Sequence, residues 1–285
     1  MNAMNRALKY ALPGLSAGLS SLTPRCASPS CQPRSRFLSL SLRSEGTYIG
    51  RDWYCSAQCF EEAANKRVAQ LGAANTYRSS PRSPRMPLGL AALSLGHINA
   101  EQLRAAVDFQ KENGGRMGEL LVTLGFATQA QVTAALASQW GHPFLSLKNR
   151  QVKVEHRIPT RLMELYSMLP IHFITQTNKL VIGFAELVEY RILSTIESML
   201  GCTVVPCFIT KEDFDQHFQS VRMQQSCGDE EVVFEQRAGI SEIARIARNY
   251  AWQIGARSAN FGLCSDYLWS RLQGQRVCMD VLTKI

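Results

Sequence analysis

Pro87-Leu-Gly-Leu-Ala-Ala-Leu-Ser-Leu-Gly96 and Arg116-Met-Gly-Glu-Leu-Leu-Val-Thr-Leu-Gly125 are two versions of one pattern, 29 residues apart. Carried on to Gln110 and Gln139, the copies place Leu88, Gly89, Gly96, Leu103, Ala106 and Gln110 on Met117, Gly118, Gly125, Val132, Ala135 and Gln139. Two glycines seven apart, followed fourteen residues later by glutamine, occur twice, which marks an internal duplication. Such copies are expected to pack as two similar units facing one another.

Each copy reads as helix, glycine turn, helix. Gly96 and Gly125 stop short apolar helices as C-caps. Asn99 and Thr128 then stand at N-cap positions ahead of apolar residues at helical spacing, through Val107 and Leu136. Gly89 and Gly118 lie inside or at the start of a helix, where glycine costs roughly 1 kcal/mol relative to alanine, so something approaches the backbone closely there. Two readings fit. In one, a neighbouring helix packs on the glycines, and Gln110 and Gln139 are ordinary surface residues. In the other, a flat ligand lies on bare backbone while arginine and glutamine donate to its edge and phosphates.

Arg116-Met-Gly118 with Leu121, Gly125, Ala135-Leu136 and Gln139 resembles the tandem motif of the N-terminal domain of type II secretion and type IV pilus assembly ATPases, the MshEN type. The resemblance implies binding of the bacterial second messenger cyclic di-GMP, one motif to each half of the ligand. It carries ligand contact onto Arg116, Met117, Gly118, Leu121, Gly125 and Gln139, with Leu88, Gly89, Gly96 and Gln110 opposite. The first copy departs from the motif: Pro87 stands where arginine belongs, Ala92 where leucine is expected, and Arg85 is two residues off register. One missing charge-assisted contact costs about 1.5–3 kcal/mol, roughly ten- to a hundredfold in affinity. The likeness continues to Val221. There the sequence predicts a helix from Thr160, strands at Ile171–Thr175, Leu180–Phe184 and Cys202–Ile209, and helices at Val188–Leu200 and from Thr210. Cys202 and Cys207 are expected to be packing residues. The final segment, an amphipathic helix over Ser241–Ile254 and then strand-like runs, is similar to the opening of the domain that precedes the motor in the same ATPases.

The first 85 residues hold twelve Lys and Arg against four Asp and Glu, and the remaining 200 hold nineteen of each, so the net charge of +8 is N-terminal. Cys26 and Cys31, then Cys55 and Cys59, form two pairs separated by 23 residues. Two thiolates from each of two turns complete a tetrahedron, which predicts structural zinc in a small knuckle; disulfides or free thiols are the alternative. The second pair opens a helix whose dipole favours thiolate. Between knuckle and repeats runs a linker rich in Pro, Ser and Arg.

The expected fold class is α+β multidomain. A disordered basic tail (1–22) precedes the knuckle (23–72) and a linker (73–86). The tandem-motif helices (87–145), a small α/β sandwich (146–222), a second linker (223–239) and a helix with β-hairpin (240–285) follow. The sequence has no Gly-Lys dipeptide, so the Gly-x-x-x-x-Gly-Lys-Ser/Thr phosphate loop of an ATPase is missing, and too few residues follow the hairpin for a RecA-like motor. The five histidines show no metal-ligand spacing and no serine lies in Gly-x-Ser-x-Gly. The expected function is a non-catalytic regulatory or adaptor protein binding cyclic di-GMP and a secretion or pilus protein. It would be cytoplasmic, or peripheral at the inner membrane, with no transmembrane segment. The competing readings are a nucleotide-independent scaffold on an inner-membrane partner and a zinc-dependent DNA-binding regulator. The absence of a basic recognition helix argues against nucleic acid.

Overall fold

The computed structural model describes residues 24–31, 46–75, 85–152, 157–225 and 230–285. The basic tail 1–22, residues 76–84 of the first linker and residues 226–229 of the second lie outside them. In chain order the elements are β1 (Thr47–Ile49), β2 (Asp52–Tyr54), α1 (Ala57–Asn75), α2 (Leu88–Ser94), α3 (Ala100–Asn113), α4 (Met117–Thr123) and α5 (Gln129–Trp140). Then come α6 (Thr160–Leu165), β3 (Met168–Ile174), β4 (Lys179–Phe184), α7 (Tyr190–Leu200), β5 (Thr203–Phe208) and α8 (Lys211–Gln225). The last are β6 (Glu230–Phe234), α9 (Ile240–Gln253), β7 (Ser258–Cys264), β8 (Tyr267–Gln273) and β9 (Cys278–Lys284). This is a mixed α and β architecture with two sheets and a cysteine cluster near its N-terminus.

The repeats fold as their caps dictate. Asn99 with Gln102, and Thr128 with Gln131, close reciprocal capping boxes at the starts of α3 and α5. Gly96 and Gly125 have φ of +69° and +70°. Around them the His97 amide donates to Ala92 O at 3.0 Å and the Phe126 amide to Leu121 O at 2.9 Å, the six-to-one bond of a Schellman stop in both copies.

The α/β half has the sheet order β3-β4-β5, antiparallel then parallel. Asn178, at φ +53°, turns β3 into β4, as its short polar side chain allows. Leu169, Phe184 and Phe208 of this sheet and Leu162 and Met163 of α6 are fully buried in one core. The first strand starts earlier than its apolar run predicts, at Met168, because Met168 and Leu169 pair with Phe184 and Gly183.

The third unit joins an early stretch of the chain, from Thr47, to its last strands. Its sheet runs β2-β1-β7-β8-β9-β6, with β1 parallel to β7 and β6 parallel to β9. Helix α1 lies against α9, and Phe60 and Ala64 share one core with Ala244, Ala247, Phe261 and Leu268. The knuckle and the C-terminal helix with its hairpin, separate stretches in the sequence, thus form one packed body. Residues 230–234, within the expected second linker, make an edge strand. Their Glu231 receives the Thr160 and Arg161 amides at 2.7 and 3.0 Å, placing a carboxylate on the N-terminus of α6.

Candidate functional site

Packing accounts for the interior glycines of the repeat. A Cβ on Gly89 would fall 2.5 Å from Leu103 Cδ1 and 3.8 Å from Met117 Cγ. One on Gly118 would fall 2.9 Å from Val132 Cγ1 and 3.2 Å from Leu88 Cδ2. Leu103 and Val132 are equivalent positions within their own copies; Met117 and Leu88 are equivalent positions reaching across. The two copies therefore face one another in an approximate two-fold relation, with each glycine admitting two apolar side chains. Of the two readings open in the sequence, helix-on-helix contact is the one that explains Gly89 and Gly118.

The glutamines obey the same exchange. Gln110 Nε2 donates to Gly115 O at 2.8 Å, and Gln139 Nε2 donates to Met86 O at 2.6 Å. Met86 and Gly115 are again one repeat apart, so each glutamine fastens the segment entering the other copy's first helix. Leu121 and its counterpart Ala92 are 0 % and 1 % exposed, inside the core shared by the copies. Gly96 and Gly125 are exposed, and a Cβ there would meet nothing within 4 Å; their backbone conformation, not crowding, calls for glycine. Arg116 is exposed at the N-cap of α4, and Pro87 holds the same place before α2 with no charge to offer.

Beside the repeats lies a group that the motif pattern does not mark. The guanidinium of Arg85 sits 3.3 Å above the Trp140 ring, close enough for cation–π attraction. Trp140 stacks on Tyr190 at 6.4 Å between centroids, and a His142 ring nitrogen lies 2.8 Å from Tyr190 Oη. Burial, and then the Arg85 charge, hold the His142 imidazole below its ordinary pKa. Just beyond, the Leu145 amide donates to Phe208 O and the Phe208 amide to Pro143 O, both at 2.8 Å, so the chain leaving α5 runs along the edge of β5. The sequence signal is Trp140-Gly-His142 directly after Gln139, which has no ligand spacing.

The cysteines converge. The Sγ atoms of Cys26, Cys31, Cys55 and Cys59 all lie within 4.8 Å of one another, with Cys31 and Cys55 Sγ 3.5 Å apart. A tetrahedral ion with bonds of ~2.3 Å to sulfur sets its ligands about 3.8 Å from each other, so this donor set fits zinc, whereas a disulfide brings two sulfurs to ~2.05 Å. The Ala27 amide donates to Trp53 O at 2.9 Å, tying the first cysteine turn to β2. Burial raises the Cys26 thiol, but hydrogen bonds from the Cys55 and Ser28 backbones and the Cys55 and Cys31 side chains outweigh it, and the net shift is downward. Cys31 is raised, chiefly by its hydrogen bond with Cys55, and Cys55 is raised first by burial. Burial thus outweighs the helix N-terminus at Cys55, and Cys26 is the thiol of the cluster that its surroundings hold down. Cys202 and Cys207 are buried as packing residues, and burial alone pushes the Cys207 thiol up to about 12.

Among the described residues no helix is long and apolar enough to cross a membrane. No family model matches the chain. In sequence it is similar to the type IV pilus assembly ATPase PilB of Thermus thermophilus, 24 % identical over 129 residues, which are 45 % of this chain and 14 % of the relative. It is also similar to PilB of Myxococcus xanthus, 31 % identical over 77 residues, 26 % of this chain and 14 % of the relative. The chain therefore spans about 14 % of the length of the curated relatives it matches. Among solved structures, MshE with cdg has a TM-score of 0.40 at 21 % identity, covering 48 % of this chain and 99 % of that one. The N-terminal domain of XpsE has a TM-score of 0.35 at 14 % identity, covering 47 % and 92 %. The likeness to this group of proteins extends over about half of the chain.

Proposed function

We propose that this chain is a non-catalytic regulatory or adaptor protein of a type II secretion or type IV pilus system, and that its tandem repeats bind cyclic di-GMP. The observation that carries the reading is the reciprocal arrangement of the copies. Cyclic di-GMP is two-fold symmetric, and two glycine-turn helix pairs that exchange glutamines and apolar side chains across an approximate two-fold offer each half of such a ligand similar groups. Sequence similarity to pilus assembly ATPases over part of the chain supports the choice of system. Arg116 supplies charge to one phosphate. Gln110, Gln139 and the exposed backbone at Gly96 and Gly125 supply further polar contacts, and Leu88, Gly89, Met117, Gly118 and Leu121 hold the two copies in register. Pro87 leaves the second phosphate without an arginine in register, and Arg85 is the nearest guanidinium along the chain. Calorimetry with cyclic di-GMP tests this: Arg116→Ala should weaken binding roughly ten- to a hundredfold. No heat from the wild-type protein, on the order of tens of micromolar, would remove the nucleotide from the proposal.

The apolar side chains covering Gly89 and Gly118 favour a second reading, a scaffold whose repeats dock a cytoplasmic or inner-membrane component of the secretion machinery without nucleotide. Capture of such a component at equal yield with and without cyclic di-GMP is its expected result.

For the cysteine cluster we infer structural zinc, held by Cys26, Cys31, Cys55 and Cys59. When bound, the ion supplies folding energy to a segment of roughly 45 residues that buries too little apolar surface to fold alone. Metal analysis should find about one zinc per chain, lost in Cys55→Ser.

A further inference from the structure

A cleft of about 410 Å³ opens where the β1–β2 hairpin, α1, β7 and the end of α7 meet. That volume lies within the range of small-molecule sites, roughly 300–1,000 Å³. Arg51, Lys66 and Arg67 line it, with Asp52 as the one carboxylate, so its charged lining sums to +2. None of the three cations forms an ion pair among the described residues. Gln70 and Asn260 add amide donors and acceptors to its lining.

The placement has a sequence cause. Ile49 pairs with Asp52, which leaves Gly50-Arg51 as a two-residue hairpin loop, and Gly50, at φ +63°, permits the tight turn. The loop holds Arg51 at the cleft, and one exposed face of α1 brings Lys66, Arg67 and Gln70 to the same opening. Like charges gathered at a concave surface repel one another and focus a positive potential, which an anion relieves. A guanidinium offers a planar fork to phosphate oxygens and an ammonium a point charge, a combination suited to a diphosphate group. Tyr54 is also in the lining.

We propose that this cleft binds a small diphosphate-bearing molecule, with Arg51, Lys66 and Arg67 as its anion ligands. The site is separate from the tandem repeats and does not depend on their occupant. The test is titration of the full-length protein, purified from zinc-supplemented cells, with ADP and with inorganic pyrophosphate, followed by amide NMR shifts. Shifts confined to the hairpin, α1 and β7, and at least about tenfold weaker binding in Arg51→Gln and in Lys66→Gln, are expected from the loss of one charge-assisted contact. The exposed Arg104→Gln should bind as wild type does. Tighter binding of ADP assigns the site to a nucleotide, and equal binding assigns it to the diphosphate alone. No shifts with either compound at millimolar concentration, or an affinity that Arg51→Gln with Lys66→Gln leaves unchanged, would overturn the proposal.

Discussion

Thr47 Oγ1 donates a hydrogen bond to Ala256 O at 2.7 Å, joining residues 209 apart in sequence, and Thr47 is 1 % exposed. The bond sits where β1 enters the C-terminal sheet, next to the Tyr48 amide, which donates to Arg257 O at 2.8 Å. Thr47→Val keeps the shape and removes the donor, leaving a buried carbonyl unsatisfied. The expected cost is about 1–3 kcal/mol in urea unfolding of the full-length protein. A loss of less than a few tenths would mean that β1 is not held by this bond.

Metal removal should be felt well beyond the cysteines. Cys59 lies in the first turn of α1, two residues after its start and directly before the fully buried Phe60, which contacts Trp252 edge-on at 5.6 Å. Chelation should therefore release α1 from α9 and β1 from β7, while the repeat helices keep their own core. Hydrogen exchange after chelator treatment should show faster exchange across α1 and α9 with protection unchanged in α3 and α5. Unchanged protection in α1 would show that the cysteines do not hold it.

The two interior glycines should respond differently to alanine. At Gly89 the nearest atom is a Leu103 Cδ, which can swing about χ2, whereas at Gly118 it is Val132 Cγ1, on a β-branched side chain locked at χ1 within a helix. Overpacking of this kind costs about 1–3 kcal/mol, against a helix-propensity gain of roughly 1 kcal/mol. Gly89→Ala should be close to neutral and Gly118→Ala destabilising. Val132→Ala should rescue part of the loss, which a double-mutant cycle on thermal unfolding measures.

The junction between repeats and α/β half should weaken in acid. His142 has its folded pKa below the unfolded value of about 6.5, first through burial and second through Arg85. The folded state therefore disfavours the imidazolium. The stability from neutral His142 is complete above pH ~6.5 and is lost as pH falls below that toward the folded pKa. An NMR titration should place the His142 midpoint below 6.5, and Arg85→Gln should raise it by removing the second cause. A midpoint at or above 6.5 in the wild type would contradict the burial seen here.

What the sequence showed and what it hid divide along contact distance. Gly96, Asn99, Gly125 and Thr128 announce helix ends within four or five residues of themselves: Asn99 and Thr128 are N-caps, and Gly96 and Gly125 stand one residue past the C-caps Leu95 and Leu124. Tyr48, in a strand of three residues, is too short a signal for alternation, and its partner Ser258 lies some 200 residues on. Glu231 reads as part of a linker because nothing local shows that Thr160 and Arg161 will point their amides at it. The repeat offset revealed that two copies exist, but only the swapped contacts of Leu88 and Met117 show how they face. Arg51, Lys66 and Arg67 look like scattered charges until the hairpin and α1 bring them to one cleft.

Asp280 is a fully buried charge with two cationic partners, and it fastens the third unit to the second. It is 0 % exposed, accepts from Trp269 Nε1 at 2.7 Å and from Arg271 Nε at 3.0 Å, and pairs with Arg157 Nε at 3.2 Å. Arg271 also donates to Arg157 O at 2.9 Å, so β8 and β9 grip the backbone just before α6. Asp280→Asn preserves volume but leaves two nearly buried guanidinium groups without their carboxylate, which should cost about 3–5 kcal/mol. Replacing the set with apolar residues, Asp280→Leu with Arg157→Met and Arg271→Met, should recover much of that loss, because no uncompensated charge is then buried. Equilibrium unfolding of the two variants decides the matter: if Asp280→Asn is as stable as the wild type, the ion pairs do not hold this junction and the apolar contacts of Trp269 and Leu282 do.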